Sequence, residues 1–514
     1  MAYNKVDRRS FIKLSAGVAG SLTGSSLLAA QAKTDAPPGA INKPVAANPS
    51  AELWRLGAAD LAQLIASKKV SSREVVQAHL ERIEVINDSV RAIPLVLKDE
   101  AIVAADHADR LLDQGTLLGP LHGVPITVKE NIDLAGTPTT NGLAAFSDKI
   151  ASMNAAEVSA LTQAGAIPIA RTNCPDFSVR WDTSSSRYGR TLNPWNPSVT
   201  PGGSSGGEAV ALATGMSPLG IGNDLAGSLR YPAMCCGIAT LKPSYGRISR
   251  SHESPGAIGK QLFGTAGPMA RNVRDLRLAL PLMAKQNLRD PRWAPVPLLA
   301  PPSGRVTVGL CTDPGGLGVD PQVAFGVKTA GDALANAGFA VEEIELPSVN
   351  EAANAWETII LTELREGLSA PMHKFGSPEA ITAMELMLAQ VGQSDIKSYM
   401  KAFESRYRIS EQWRTLCQKY PLIIAPVSTL PPFEVGWDTS GEAAIRPMLD
   451  SFRLLLAVAL LGLPAAVVPV ALAGGLPLGV QIIGDQYQEL LCLEAAEVIE
   501  SAVQFNTPID PRVA

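Results

Sequence analysis

Histidine and cysteine are scarce in this chain of 514 residues, and each scarcity restricts its chemistry. The five histidines, His79, His107, His122, His252 and His373, show no i, i+4 pairing of the kind that sets two metal ligands on one helix face. Nothing in their placement points to a Ser-His-Asp triad. The six cysteines, Cys174, Cys235, Cys236, Cys311, Cys417 and Cys492, contain no CxxC pair, so no metal pattern is written in them. They are expected as free buried thiols, with the adjacent Cys235 and Cys236 packed in a core. Neither a metal nor another cofactor is expected. Charge is sparse too: 18% of residues are charged, and 44 basic against 49 acidic residues give a net charge of −5. That leaves no basic footprint for nucleic acid and no strong field for an ionic partner, so a neutral or mixed small molecule is the expected one. Long apolar runs are also missing, since nothing after the first 32 residues offers about 18 uninterrupted apolar residues with membrane-like flanks. Leu454 to Val470 comes nearest, and Gly462, Pro464 and Pro469 mark it as a buried core segment.

What is present is a large apolar complement, 46% of the chain, enough to bury a core in one oversized domain or in two. Residues 1–32 are set apart from it. Asp7-Arg8-Arg9-Ser10-Phe11-Ile12-Lys13 places paired arginines before a Gly/Ala/Ser-rich apolar run, and Ala30-Gln31-Ala32 supplies the small residues of a cleavage site. This resembles a twin-arginine export signal, which implies a periplasmic or secreted protein with no stable membrane insertion once the signal is removed. An ordinary basic N-terminus or a membrane anchor is the alternative. Residues 33–50 form a Pro/Ala-rich leader, and the folded domain is expected over 51–514.

Helical spacing runs from Trp54 to Ile86, with Ser71 or Ser72 ahead of Arg73-Glu74 as the cap of a second helix. It returns from Asp99 to Gln114, where Gly115 stops it. Val124-Pro125-Ile126-Thr127-Val128-Lys129 is a short β-branched run and predicts a buried strand carrying Lys129 near its end. A helix over 155–164 and a strand over 167–170 follow. Later strands fit at 306–310, 422–426, 466–470 and 478–483. Helices fit between 321 and 337 and, less regularly, between 350 and 416. No internal repeat is evident. Helices alternating with short apolar strands predict an α/β protein, a large sheet covered by helices on both faces.

Between Lys129 and Arg230 the residue types change. A lysine in an apolar strand is costly to bury charged, and desolvation makes its neutral amine a usable base. Gly202-Gly203-Ser204-Ser205-Gly206-Gly207 and Asn223-Asp224-Leu225-Ala226-Gly227-Ser228-Leu229-Arg230 offer glycine-flanked serines. They supply a nucleophile and a proton relay, and the consecutive amides from Leu225 to Ser228 are placed to meet a developing oxyanion. Glu208 to Ala213 is a good helix former closed by Gly215, which sets the serine loop at a helix N-terminus, where partial positive charge favours an alkoxide. A glycine-serine loop alone is more often a turn, and a lysine at a strand end more often reaches solvent. The loop lacks the GxxxxGK[ST] order of a phosphate cradle.

Gly123 to Asn131, Gly202 to Gly215 and Gly222 to Pro243 together resemble the amidase signature family of serine amide hydrolases. The separations 228 − 204 = 24 and 204 − 129 = 75 suit that family's arrangement. Leu161 to Asn173, Ile423 to Pro432 and Leu461 to Gly484 extend the resemblance over nearly the whole chain after the leader. It implies one large α/β domain with a mixed, mostly parallel sheet, a catalytic core over about 120–250 and a variable helical lobe over about 300–420. It also implies Ser228 as nucleophile, Ser204 in a cis Gly203-Ser204 peptide as relay, and Lys129 as terminal base. The amides of Leu225, Ala226, Gly227 and Ser228 would hold the oxyanion. Ser205, Asp224 and Arg230 would fix the loop by hydrogen bonds and a charge pair. Asn223 stands where Thr is usual, Ala226 where Gly is common and Glu130 where Asp is common, and the Ala226 methyl narrows the acyl site. Phe177, Ser178, Trp181 and Tyr188, in the variable loop 176–188, are the pocket candidates, although core packing suits the three aromatics equally. The implied partner is a small aliphatic, aryl or peptide-terminal amide, with monomer and homodimer both open. Two other readings share the scaffold. One is the glutaminase-type subunit of a tRNA-dependent amidotransferase, which an export signal opposes. The other is a catalytically silent binding protein, which the complete Ser-Ser-Lys set opposes.

Overall fold

Short strands rich in Ile, Val and Ala have no polar face to offer water, so they are stable only as the middle of a layered structure. In the computed structural model, which describes residues 49–251, 256–302, 304, 306–392 and 394–512, they form that middle layer. The segment expected as an export signal, 1–32, and all but the last two residues of the leader lie outside the described residues. Residues Asn48–Ala514 make up one compact unit.

The strands are β1 (Leu95–Val96), β2 (Pro125–Lys129), β3 (Ile167–Thr172), β4 (Ser184–Ser185), β5 (Gly189–Arg190), β6 (Leu219–Asp224) and β7 (Ala239–Lys242). They continue with β8 (Thr265–Ala270), β9 (Thr307–Leu310), β10 (Ala340–Glu343), β11 (Leu422–Pro426), β12 (Ala465–Ala473) and β13 (Leu476–Gly484). β4 and β5 pair with each other; the rest form one sheet of 11 strands in the order β1-β3-β2-β6-β8-β7-β12-β13-β11-β9-β10. The sheet is mixed. Parallel pairing is concentrated in two wings, β3-β2-β6 and β11-β9-β10. The centre and the β1 edge are antiparallel. The cause is connectivity: β12 returns directly as β13 through Gly474-Gly475, both at positive φ (57° and 82°), and a two-residue hairpin turn needs no crossover helix.

Alternation along each strand feeds two cores. Ile126, Val128, Leu219, Ile221, Leu422, Ile424, Ala466 and Val468 pack with the helices Ala58–Ala66, Val273–Met283, Pro321–Asn336 and Glu489–Val503. Ile167, Ile169, Ile423, Ala425, Ala465 and Val467 pack with Gly206–Ala213, Arg230–Cys236, Val349–Gly367 and Arg453–Leu461 on the other face. The helix Ser72–Val90 starts in the expected place: Ser71 accepts the Glu74 N–H, and the Glu74 side chain returns to the Ser71 N–H. The apolar run from Leu454 divides at Gly462 into a buried helix and β12. Among the described residues no helix is long and apolar enough to cross a membrane. All six cysteines are buried and free of disulfides.

In the region 300–420 the strand expected at 306–310 forms as β9, β10 is added beside it in the common sheet, and the helix Val349–Gly367 packs on Arg453–Leu461. The strands β6, β7 and β8 are also additional to those the periodicity marks. Glycine obscures two of them, because Gly220 and Gly267 lie where a Cβ would collide with the Glu208 carboxylate and the Leu241 carbonyl.

Candidate active site

Ile126 and Val128 face one core, so Thr127 and Lys129 project from the opposite face of β2, toward the helix Gly206–Ala213. Glu208, in the first turn of that helix, accepts hydroxyl hydrogen bonds from Thr127 and Thr172, and burial pushes its carboxyl up to about 7. Lys129 is completely buried at the strand end. Burial pushes its ammonium down to about 8, partly opposed by Cys174, Asp224 and Glu208 nearby. Its Nζ donates to Ser204 Oγ at 2.7 Å and to Asn223 Oδ1 at 2.8 Å.

Ser204 follows a cis Gly203-Ser204 peptide and is 1% exposed. The turn ahead of it requires glycine: Gly202 has φ 79°, and a Cβ there would sit 2.5 Å from Pro232 Cα. Ser205 is the N-cap residue of the following helix, and its Oγ donates to the Asn223 carbonyl at 3.4 Å.

The second serine lies just beyond β6, the parallel neighbour of β2, so both strands deliver their C-terminal ends to one place. The loop 225–228 is held from below by Asp224. Its Oδ1 accepts the Gly227 N–H at 2.7 Å, its Oδ2 accepts the Leu229 N–H at 3.2 Å, and Arg230 forks onto both oxygens at 3.0 and 3.1 Å. Burial alone would raise the Asp224 carboxyl, but the Arg230 guanidinium holds it below the usual carboxylate range. Arg230 is anchored in turn on Gln481 Oε1 (3.2 Å) and the Leu455 carbonyl (3.0 Å). From above, the indole N–H of Trp356 donates to the Leu225 carbonyl at 3.1 Å, and that of Trp181 donates to the Ala226 carbonyl at 3.0 Å.

These contacts sort the four amides. The Gly227 N–H is donated to Asp224, which removes it from the expected oxyanion set. Leu225, Ala226 and Ser228 are the loop amides without a protein acceptor among the described residues. Lys129 and Ser204 are in direct hydrogen bond, whereas no hydrogen bond joins Ser228 Oγ to Ser204 among the described residues. Ser228 is 8% exposed, the most open of the three.

The pocket candidates separate. Ser178 is partly exposed and its Oγ accepts from Asn131 Nδ2 at 2.8 Å. Phe177, also partly exposed, meets Phe146 edge-on at 6.0 Å and touches the small Met372, Ala380 and Met384 cluster. Trp181 is a core residue against Phe452 as well as the clamp on Ala226. Tyr188 lines a different cavity, about 420 Å³, with Asn87, Asp88, Arg91, Ile93 and Pro94. Sequence reasoning missed Asn131 and Asn223 as partners at the lysine, and Trp356. Asn131 lies in the turn just past the end of β2, where strand alternation no longer sets its side, so no local signal marks it. Among the described residues no group of three or more His, Cys, Asp or Glu is arranged to hold a metal ion.

The family model described as Amidase matches residues 74–493. Indoleacetamide hydrolase of Bradyrhizobium diazoefficiens is 41% identical over 88% of this chain and 87% of its own length. A glutamyl-tRNA(Gln) amidotransferase subunit of Chloroflexus aurantiacus is 31% identical over 89% of this chain and 98% of its own. A solved bacterial aryl acylamidase of the amidase signature family superposes with a TM-score of 0.78 at 26% identity, covering 89% of this chain and 98% of its own. With that agreement across sequence and fold, the chain belongs to the amidase family and is an amide-hydrolysing enzyme.

Proposed function

We propose that this enzyme is exported and cleaves a small primary amide bearing an aryl group, giving the carboxylic acid and ammonia through an acyl-enzyme on Ser228. The observation that carries the mechanism is the buried 2.7 Å contact of Lys129 Nζ with Ser204 Oγ, beside the loop that holds Ser228. With Lys129 neutral, its lone pair takes the Ser204 proton while Ser204 takes the Ser228 proton. Ser228 Oγ then bonds to the amide carbon. The carbonyl oxygen becomes an oxyanion facing the amides of Ala226 and Ser228, with Leu225 adjacent, each donor typically worth about 10²–10³ in rate. Collapse breaks the C–N bond as the relay returns its proton to the nitrogen, and water then repeats the sequence on the ester. The Ser228-to-Ser204 hydrogen bond missing in the free enzyme forms when substrate closes on the loop, a tightening common to resting active sites.

The aryl preference rests on the likeness to an indoleacetamide hydrolase and an aryl acylamidase, and on Phe177 standing partly exposed beside Ser178. Glutamine is the second substrate class, because glutamyl-tRNA(Gln) amidotransferase subunits match at similar coverage. A panel of arylacetamides, aliphatic amides and glutamine decides by kcat/KM. Wild type is expected to favour the arylacetamides and to take a fluorophosphonate on Ser228, with label and turnover both lost in Ser228→Ala. Preference for glutamine, or turnover surviving in Ser228→Ala, overturns this reading. Export rests on the twin-arginine pattern at Arg8-Arg9 and the Ala30-Gln31-Ala32 site. The secreted protein is expected to begin near Lys33, and a cytoplasmic pool retaining the whole N-terminus refutes export.

A further inference from the structure

The lysine has a second partner that the proton path does not use. Asn223 Oδ1 accepts from Lys129 Nζ at 2.8 Å, Asn223 Nδ2 donates to Asn131 Oδ1 at 2.9 Å, and Asn131 Nδ2 donates to Ser178 Oγ at 2.8 Å. The sense of this chain is fixed from its lysine end. An amine N–H needs an acceptor, so Asn223 must present its oxygen there and its NH₂ to Asn131, which must then present its own oxygen. The far end is unusual backbone: Phe177 and Ser178 both lie in the left-handed region, at φ 51° and 59°, where side-chain-bearing residues sit only when surrounding contacts hold them. Asn131, Asn223 and Ser178 are all partly exposed, which places the chain along the open side of the buried Lys129-Ser204 pair.

Resting on the proposed role of Lys129 as base, we propose that Asn223, Asn131 and Ser178 form a directed relay of positioning residues that couples the 177–178 loop to the aim of the Lys129 amine at Ser204. Asn223 Oδ1 engages one N–H and thereby turns the lone pair toward the serine. Hydrogen-bonded amides polarise one another, so a ligand that shifts Ser178 changes the acceptor strength felt at the lysine. Asn occupies the position at which Thr is usual in the family; the carboxamide both accepts from the lysine and donates onward, giving this chain a reach that a threonine hydroxyl lacks. Other groups bear on Lys129 from every packed element: Glu208 from the helix Gly206–Ala213, Asp224 from the end of β6, Cys174 beyond β3 and Arg250 beyond β7. None of them lies in the relay.

The test reads Lys129 directly, by ¹³C NMR of protein carrying ε-¹³C-lysine, beside the pH profiles of kcat and kcat/KM on an arylacetamide. Asn223→Leu removes the acceptor at similar volume. A protonated amine is the stronger donor, so Lys129 and the ascending limb are expected to move down by about one pH unit. kcat is expected to fall about 10- to 100-fold as the amine loses its aim. Asn223→Thr restores part of both. Ser178→Ala, on the partly exposed loop, moves the limb a smaller distance the same way and serves if Asn223→Leu does not fold. An unchanged Lys129 titration in both variants, with activity reduced equally at every pH, overturns the relay while leaving the proposed hydrolysis intact. A shifted Lys129 in a protein that turns over no amide supports the relay and sinks the function instead.

Discussion

Two lysines are buried to the same degree in this molecule, each at the end of a strand, and they are surrounded by different atoms. Lys129 ends β2, and its Nζ donates to two side chains, the Ser204 hydroxyl and the Asn223 carboxamide. Lys242 ends β7, and its Nζ donates to two main-chain carbonyls, Leu463 O at 2.8 Å and Pro243 O at 3.1 Å. Burial pushes both down, Lys129 to about 8 and Lys242 to about 7, the latter pushed further by Arg230. By that measure Lys242 is the better-tuned base. Yet a carbonyl has no proton to give, and a hydroxyl has one. Desolvation makes an amine available, and the identity of its neighbour decides whether it does chemistry or holds a turn.

The comparison is broken most severely by exchanging activity and structure between the two sites. Lys129→Ala is expected to lower kcat about 10²–10⁴-fold, the usual worth of a positioned base, while the fold persists because the residue ends a strand braced on both sides. Lys242→Met is expected to leave kcat within a few-fold. Steady-state kinetics with a melting curve on each variant checks the pair, and a kcat loss in Lys242→Met matching that in Lys129→Ala removes the distinction.

The second effect is on stability and has a definite sign. Lys242 titrates near 7 when folded and at the ordinary value of 10.5 when unfolded, so between those values the unfolded chain binds the extra proton. Wild type therefore gains stability relative to Lys242→Met as pH rises, by about 1.4 kcal/mol per pH unit from about 7 to 9, and the difference is flat below 7. Denaturant unfolding of both proteins across that range measures it. A difference that does not change with pH shows that Lys242 remains charged in the fold and that its two carbonyls compensate its burial.

This contrast also shows which parts of the molecule sequence patterns reveal. Lys129 is legible because a β-branched run carries it, and Ser204 and Ser228 because glycines surround them. The strands expected at 466–470 and 478–483, the helix cap at Ser71 or Ser72 and the buried character of Leu454 to Val470 follow from local residue chemistry in the same way. Lys242 and β7 are obscured because the short segment 239–242 has no polar alternation: both of its faces are buried. Partners brought from a distance leave no local trace. The Leu225 carbonyl meets an indole 131 residues further along the chain, and nothing around Trp356 separates it from an ordinary core aromatic. Tyr188 fails for the same reason in reverse, being close to the serine loop in sequence and lining a separate cavity in space.

The smallest expected effect extends the comparison from lysines to the carbonyls that indoles hold. Trp356 donates to the Leu225 carbonyl much as Lys242 donates to Leu463, but the peptide so fixed is the one whose nitrogen belongs to Ala226, an amide without a protein acceptor among the described residues and part of the proposed oxyanion site. Trp356→Phe keeps the ring and removes the donor, at a cost of about 1 kcal/mol for one neutral hydrogen bond. If carbonyl pinning is only structural, that cost appears as a lower melting temperature with kcat intact. If the indole aims the Ala226 N–H, kcat is expected to fall about fivefold with KM unchanged, because the oxyanion exists only in the transition state. The Trp181→Phe variant acts one peptide further on, where the amide fixed is that of Gly227, already donated to Asp224. Its loss is therefore expected in stability and not in kcat, and equal kcat losses in the two variants show that the loop moves as one body instead of amide by amide.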